Sequence, residues 1–268
     1  MSKPNNALKV LLRTLAVIIG ALMLYLVTAL MAGTISGSPV VGAVASNTVV
    51  FVAGLFWLRS VRHRSAAPAR SGLAAREPGF WILVMVALVF CWLVGQAASV
   101  WLYSLVGSPS FDGHAAARTE APALVMLLVV LVLAPMGEEM LMRGVIYSRL
   151  RVHLPPLAAA VLTTGVFSLM HLNLVQIAAT LHLGLLLAVV YEHTGRLTPV
   201  IVMHVVFNLA STVVPAAGVV AFSSLTFVLL GGVVLGLLLA RLYRSAGSDP
   251  ATRSSPAIAS GPDAMLGG

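Results

Sequence analysis

Charge is scarce in this chain. Only 9% of its 268 residues are Asp, Glu, Lys or Arg, and the acidic residues number 8. A soluble domain ordinarily carries about 25% charged residues, so a water-facing surface of normal extent is excluded. Cysteine is scarcer: the single thiol, Cys91, cannot close an internal disulfide. It lies in an apolar run with no cation beside it to activate it, and reads as packing. Two other features are missing. No strand-like alternation breaks the apolar runs, which leaves helices as the spanning structure. No basic patch is interleaved with aromatics, so a nucleic-acid module is not expected.

What the chain has instead is hydrophobic length. It is 59% hydrophobic, and a bilayer core about 30 Å thick is crossed by around 20 apolar residues in a helix. The pattern predicts an all-α, polytopic membrane protein of about eight transmembrane helices. The spans fall near Val10–Met31, Val40–Leu58, Phe80–Leu105, Pro122–Met142, Pro156–Leu172, Val175–Tyr191, Pro199–Val213 and Val219–Leu242. Lys3, Lys9 and Arg13 precede the first run as they would a signal peptide. That run is longer than a signal core, and no small-x-small cleavage site follows it, so a retained span is expected.

Arginines set the expected orientation. Arg59, Arg62, Arg64, Arg70 and Arg76 crowd the second link, Arg149 and Arg151 follow the fourth span, Arg196 the sixth, and Arg241 and Arg244 the last. The alternate links, including Ser108–Thr119, are neutral or weakly charged. By the positive-inside rule both termini and the basic links face the cytoplasm. The net charge of +8 then reflects topology and contact with anionic lipid. Residues 1–244 are expected to form one helical membrane domain, and 245–268, rich in Ala, Ser, Gly and Pro, a disordered cytoplasmic tail. Ser65–Ala75 has the composition of a flexible link.

Against this apolar background three polar clusters stand out. The first is Glu138-Glu139 with Arg143. Residues four apart share a helix face, so Glu139 meets Arg143, while Glu138 is turned about 100° away. Paired, Glu139 can stay ionised; unpaired, Glu138 is the carboxylate free to take and return a proton. The second cluster places Phe167 one turn from His171, and the third places His204 one turn from Asn208, with Thr198-Pro199 read as a helix start. Each cluster has an ordinary reading, as a snorkelling ion pair or a satisfied core histidine. Together, within about seventy residues of apolar helix, they point to function, because an ionisable group at membrane depth costs roughly 2.5–3.5 kcal/mol even on a lenient scale. His182 has no partner at helical spacing and reads as structural or supporting.

In order, Glu-Glu-x-x-x-Arg, Phe-x-x-x-His and His-x-x-x-Asn resemble the CPBP intramembrane proteases, which include the type II CAAX prenyl endopeptidases. The resemblance covers about Ala121–Val213, a core of about 121–213, and includes Tyr191-Glu-His-Thr-Gly195. It implies hydrolysis of a peptide bond in a membrane-associated peptide or protein. Glu138 would activate water, His171 would help hold that water or a metal, and His204 and Asn208 would stabilise the oxyanion. Glu139 and Arg143 would orient the site. A divalent metal such as zinc, on Glu138, His171 and His204, is one expectation. A metal-free, glutamate-driven reaction is the other, and no His-Glu-x-x-His helix occurs to decide between them. A proton-coupled transporter and a non-catalytic scaffold remain alternatives, since buried Glu and His also build proton relays. The expected setting is a bacterial cell membrane, with lipids and the substrate as partners. For Glu138 and His171 to meet, the fourth helix must run on to about Arg149. The four site residues are then expected to converge on one cavity opening toward the cytoplasm or sideways to lipid.

Overall fold

The computed structural model describes residues 4–62, 75 and 77–247, and among them no strand occurs. The chain is a polytopic helical membrane protein. Helices α1 (Pro4–Ser36) and α2 (Pro39–Arg62) form a hairpin, closed at Gly37, whose φ of 67° suits a residue without a Cβ. Helix α3 (Pro78–Val106) starts on a proline, which has no hydrogen to lose in the first turn. A short helix α4 (Pro109–Glu120), capped by Ser108, fills the following link. One long helix, α5, runs from Ala123 to Leu150. Then come α6 (Pro156–Leu169), α7 (Leu174–Thr194), α8 (Leu197–Val213), the short α9 (Ala216–Val220) and α10 (Leu225–Gly247).

All eight expected spans are helical, but their lengths divide. Among the described residues six helices are long and apolar enough to cross a membrane, while α6 and α8 are shorter apolar helices. Four boundaries differ from the sequence expectation. Helix α5 continues eight residues past Met142, to Leu150, and α6 ends at Leu169, leaving His171 in a turn. Helix α8 begins at Leu197 with Arg196 as its cap residue, so Thr198 lies inside the helix. The reason is the tight exit from α7: Gly195 is left-handed and Thr194 Oγ1 accepts Arg196 N–H at 3.3 Å. The last span splits into α9 and α10. The expected link Ser65–Ala75 and tail 245–268 fall almost wholly outside the described residues, although α10 itself runs to Gly247.

The core sits between α3 and α7. Val84, Leu88, Cys91 and Val94 form one buried stripe of α3 against Leu183, Leu186, Leu187 and Val190 of α7. Cys91 is packing, as its sequence context implies. Close approach of these two helices needs Gly95, where an added Cβ would lie 2.7 Å from Ala179 O. Outward faces carry exposed Phe56, Ile82, Leu230, Val233 and Leu237, the surface expected of helices in lipid.

The links sort to two ends. Residues 37–38, 107–122, 170–173 and 214–224 lie at one, and 151–155 and 195–196 at the other. Arg59, Arg149, Arg151, Arg196, Arg241 and Arg244 all belong to the second end, which makes it the basic end; the first is nearly neutral.

Candidate active site

Helix α5 is not regular where the carboxylates lie. Wide, π-type turns at Val129–Leu133 and Met140–Tyr147 flank the segment Ala134–Glu139. Such turns gather at functional sites, and here a cause can be named. In the first wide turn Ala134 N–H reaches back five residues to Val129 O. The same step from Pro135 ends on Val130 O, but proline has no hydrogen to give. Asn208 of α8 supplies it, with Nδ2 donating to Val130 O at 2.9 Å. The amide that stands one turn from His204 therefore also closes a gap in α5.

The two carboxylates separate as the helical turn requires. Glu139 points inward and is fully buried; Arg143 Nη1 lies 2.9–3.0 Å from its two oxygens, and His204 Nδ1 lies 2.9 Å from Oε1. Arg143 is equally buried and donates from Nη2 to Gly184 O on α7 at 2.7 Å. At the same residue α6 and α7 touch closely, since a Cβ on Gly184 would lie 2.7 Å from Thr164 Cγ2. Glu138 faces the other way, partly exposed, with Oε2 3.7 Å from His204 Nε2. His204 thus stands between the two acids. One imidazole nitrogen is bonded to the buried carboxylate and the other faces the exposed one.

Phe167 joins the histidines. Its ring packs edge-on to His171 at 5.3 Å and to His204 at 5.8 Å, while the Arg143 guanidinium lies 5.5 Å from its centroid. His171 occupies the turn between α6 and α7, where its Nδ1 donates to Phe167 O at 3.0 Å. That bond fixes the tautomer and leaves Nε2 as an acceptor. The turn is built for the purpose. Leu172 adopts φ 56°, a strained value for a residue with a branched side chain, and Asn173 then caps α7 by accepting Gln176 N–H at 2.8 Å.

Glu138, His171, His204 and Asn208 all line one cavity of about 840 Å³, within the range of about 300–1,000 Å³ typical of ligand sites. Glu139 and Arg143 sit behind its wall. His182 does not line it. Counting from the basic end explains the convergence: Glu138 lies twelve residues before Leu150, about 18 Å, and His171 fifteen after Pro156, about 22 Å. The extension of α5 past Arg143 brings them level.

Other wall residues lie outside the motifs. Tyr25 of α1 and Asn47 of α2 also line the cavity, and Asn47 is buried with Nδ2 donating to Ala43 O at 2.9 Å. It packs on Gly137, where a Cβ would fall 2.7 Å from Asn47 Cα. The only sequence signal for them is a polar residue within an apolar run. The walls of the cavity reach Pro39, Val40, Phe111, Ala117 and Val220, all at the neutral end.

Residues 120–210 match the family model Rce1-like, described as type II CAAX prenyl endopeptidase Rce1-like. This stretch is a CPBP-family segment. It contains α5 to most of α8, and so every residue of the Glu138–Asn208 constellation, while α1 to α3 and α10 lie outside the match. No curated protein and no solved structure matches the chain. The CPBP segment supports a CAAX-type intramembrane protease in general terms. For a metal the donors fit poorly: among the described residues no group of three or more His, Cys, Asp or Glu side chains is arranged to hold one. His204 Nδ1 and His171 Nδ1 are bonded within the protein, which leaves their Nε2 atoms as the ring nitrogens open to a ligand.

Proposed function

We propose that this chain is an endopeptidase that hydrolyses a peptide bond of a membrane-associated peptide or protein inside the bilayer, in a bacterial cell membrane with both termini cytoplasmic. The observation that carries this reading is one cavity holding a free carboxylate, two imidazoles and an amide, with a buried arginine–carboxylate pair behind it. Glu138 takes a proton from a water held near the His171 Nε2 acceptor. The resulting hydroxide attacks the substrate carbonyl carbon, and the carbonyl oxygen becomes an oxyanion. His204, protonated at Nε2, and the second Nδ2 hydrogen of Asn208 donate to that oxyanion. One such donor is typically worth ~2.7–4 kcal/mol. Glu138 then returns its proton to the departing nitrogen as the C–N bond breaks, giving one carboxylate and one amine.

Glu139 and Arg143 act behind this exchange. The Glu139 carboxylate holds His204 Nδ1, so that any proton the ring gains lies on the nitrogen facing the cavity. Arg143 keeps Glu139 charged and in place. No step passes through a metal.

Glu138→Gln keeps the side-chain shape and removes the base. Comparing peptides in membranes that carry the wild-type chain or this variant, by mass spectrometry, is expected to reveal fragments that depend on Glu138, with cleavage falling about 10²–10⁴-fold in the variant. A chelator should leave those fragments in place. Near-normal cleavage by a folded Glu138→Gln protein would overturn the assignment, and loss on chelation restored by zinc would overturn the metal-free step.

A further inference from the structure

The matched segment supplies the motif residues, but it does not supply the whole cavity wall. Helices α1 and α2 lie outside residues 120–210, yet Tyr25 of α1 and Asn47 of α2 both line the cavity. Each is a polar side chain in an apolar helix, and α2 packs along Ala134–Glu139, the part of α5 that carries the carboxylates. Neither takes part in the exchange among Glu138, His171, His204 and Asn208.

Asn47 is destabilising where it stands. It is 2% exposed, and its Oδ1 lies against Gly137 with no hydrogen-bond partner among the described residues. A buried acceptor without a donor lowers stability and calls for a reason, since an apolar side chain of similar size would pack there without that penalty. What the amide offers is its nitrogen. Nδ2 donates one hydrogen to Ala43 O at 2.9 Å and keeps a second. Ser46, also buried, donates its hydroxyl hydrogen to the same carbonyl at 3.2 Å.

The polar neighbours of the Tyr25 side chain are these two residues and, on α5, Glu138. Tyr25 packs against the cluster of Val50, Leu141, Met142, Ile146 and Phe167, so apolar contacts from α2, α5 and α6 hold the phenol in place. The second Asn47 hydrogen suits the phenolic oxygen, which leaves the phenolic hydrogen for an acceptor. An ionised carboxylate is the strongest acceptor of the three neighbours, because it has no hydrogen of its own. Glu138 has room for such a donor. Its contact with His204 Nε2, at 3.7 Å, is longer than a hydrogen bond.

We infer that Tyr25 is a positioning residue for Glu138: its hydroxyl, oriented by Asn47 and Ser46, donates to one carboxylate oxygen, directly or through one water. The other oxygen is then turned toward the water that attacks. The effect on rate rests on the protease reading above; the contact itself does not. Gly137 is explained by the same arrangement, because a side chain there would strike Asn47 and push away the amide that aims the phenol. The α1–α2 hairpin is therefore part of the working site.

Two measurements on the full chain separate the contact from the rate. The five tyrosines are replaced by 3-fluorotyrosine, and Tyr25→Phe assigns the fluorine resonance of Tyr25. That resonance is expected to move on Glu138→Gln and to stay on Arg151→Ala. A resonance that ignores Glu138→Gln overturns the inference, whatever the chain does as an enzyme. The second measurement uses a synthetic peptide spanning a Glu138-dependent cut. Tyr25→Phe keeps the ring and loses only the hydroxyl, so kcat should fall about 10–100-fold, the range of one hydrogen bond to a charged group, with KM little changed. In a Glu138→Gln background the same change should have no further effect, because the two residues act as a unit. Full activity, a raised KM with kcat intact, or an equal loss in both backgrounds overturns the positioning role. If no Glu138-dependent fragment exists, the protease reading fails, while the fluorine resonance still decides the contact.

Discussion

Two arginine–carboxylate pairs anchor α5, and they differ mainly in how much water reaches them. At the site, Arg143 and Glu139 have side-chain exposures of 0% and 0%; at the basic end, Arg151 and Glu192 have 18% and 14%. The geometry at the basic end is the better of the two, with both guanidinium edges engaged and a tyrosine hydroxyl added. Geometry therefore does not rank them; burial does. A pair that water screens contributes about 0–1 kcal/mol. Removing one partner of a buried pair strands a charge and costs about 3–5 kcal/mol. The same two residue types thus serve as a fastening at one end and as part of the reacting assembly at the other.

The sharpest test of that contrast is Arg143→Ala. It leaves Glu139 buried with only His204 beside it, and it removes the donor to Gly184 O that ties α5 to α7. Stability in detergent should fall by about 3–5 kcal/mol, read from denaturant titration of helix content, and cleavage should be lost with it. Arg143→Lys keeps the charge without the fork and should recover part of the stability. A folded, fully active Arg143→Ala protein would break the comparison at its stronger side.

Glu139→Gln separates charge from shape. The amide keeps the volume and still accepts from Arg143, but His204 loses an anionic partner for Nδ1. Groups that orient a reacting histidine from behind typically matter about 10–100-fold. We expect kcat to fall within that range with KM little changed, because the substrate does not touch the buried oxygen. A change in KM with kcat intact would place Glu139 in substrate binding instead.

Much of this was legible in the sequence, for reasons that differ by residue. The helices were, because a run such as Phe80–Leu105 has one stable form in lipid. The split between Glu138 and Glu139 was, because a 100° step and a cation four residues on leave few choices. The need for a longer fourth helix followed from rise per residue, and α5 does run to Leu150. The wide turns were not legible. The first depends on Asn208 reaching a carbonyl 78 residues away, and no local pattern encodes that. Asn47 was missed for the same reason, since its meaning comes from Gly137 across a gap of ninety residues.

The smallest effect is expected from the pair with the best geometry. Arg151→Ala removes three hydrogen bonds, two to Glu192 and one to Leu154 O. Water reaches both partners, so the stranded Glu192 can be solvated, and Tyr147 hydroxyl still donates to it. A bidentate pair in that setting is worth about 1 kcal/mol. The pair also lies at the end of the bundle away from the cavity, so the distances among Glu138, His171 and His204 do not depend on it. We expect a stability loss of about 1 kcal/mol, further reduced by high salt because the interaction is screened, with Glu138-dependent cleavage unchanged. A loss as large as that of Arg143→Ala would show that the basic end, and not the buried centre, holds α5 against α7, and the distinction between fastening and site would collapse.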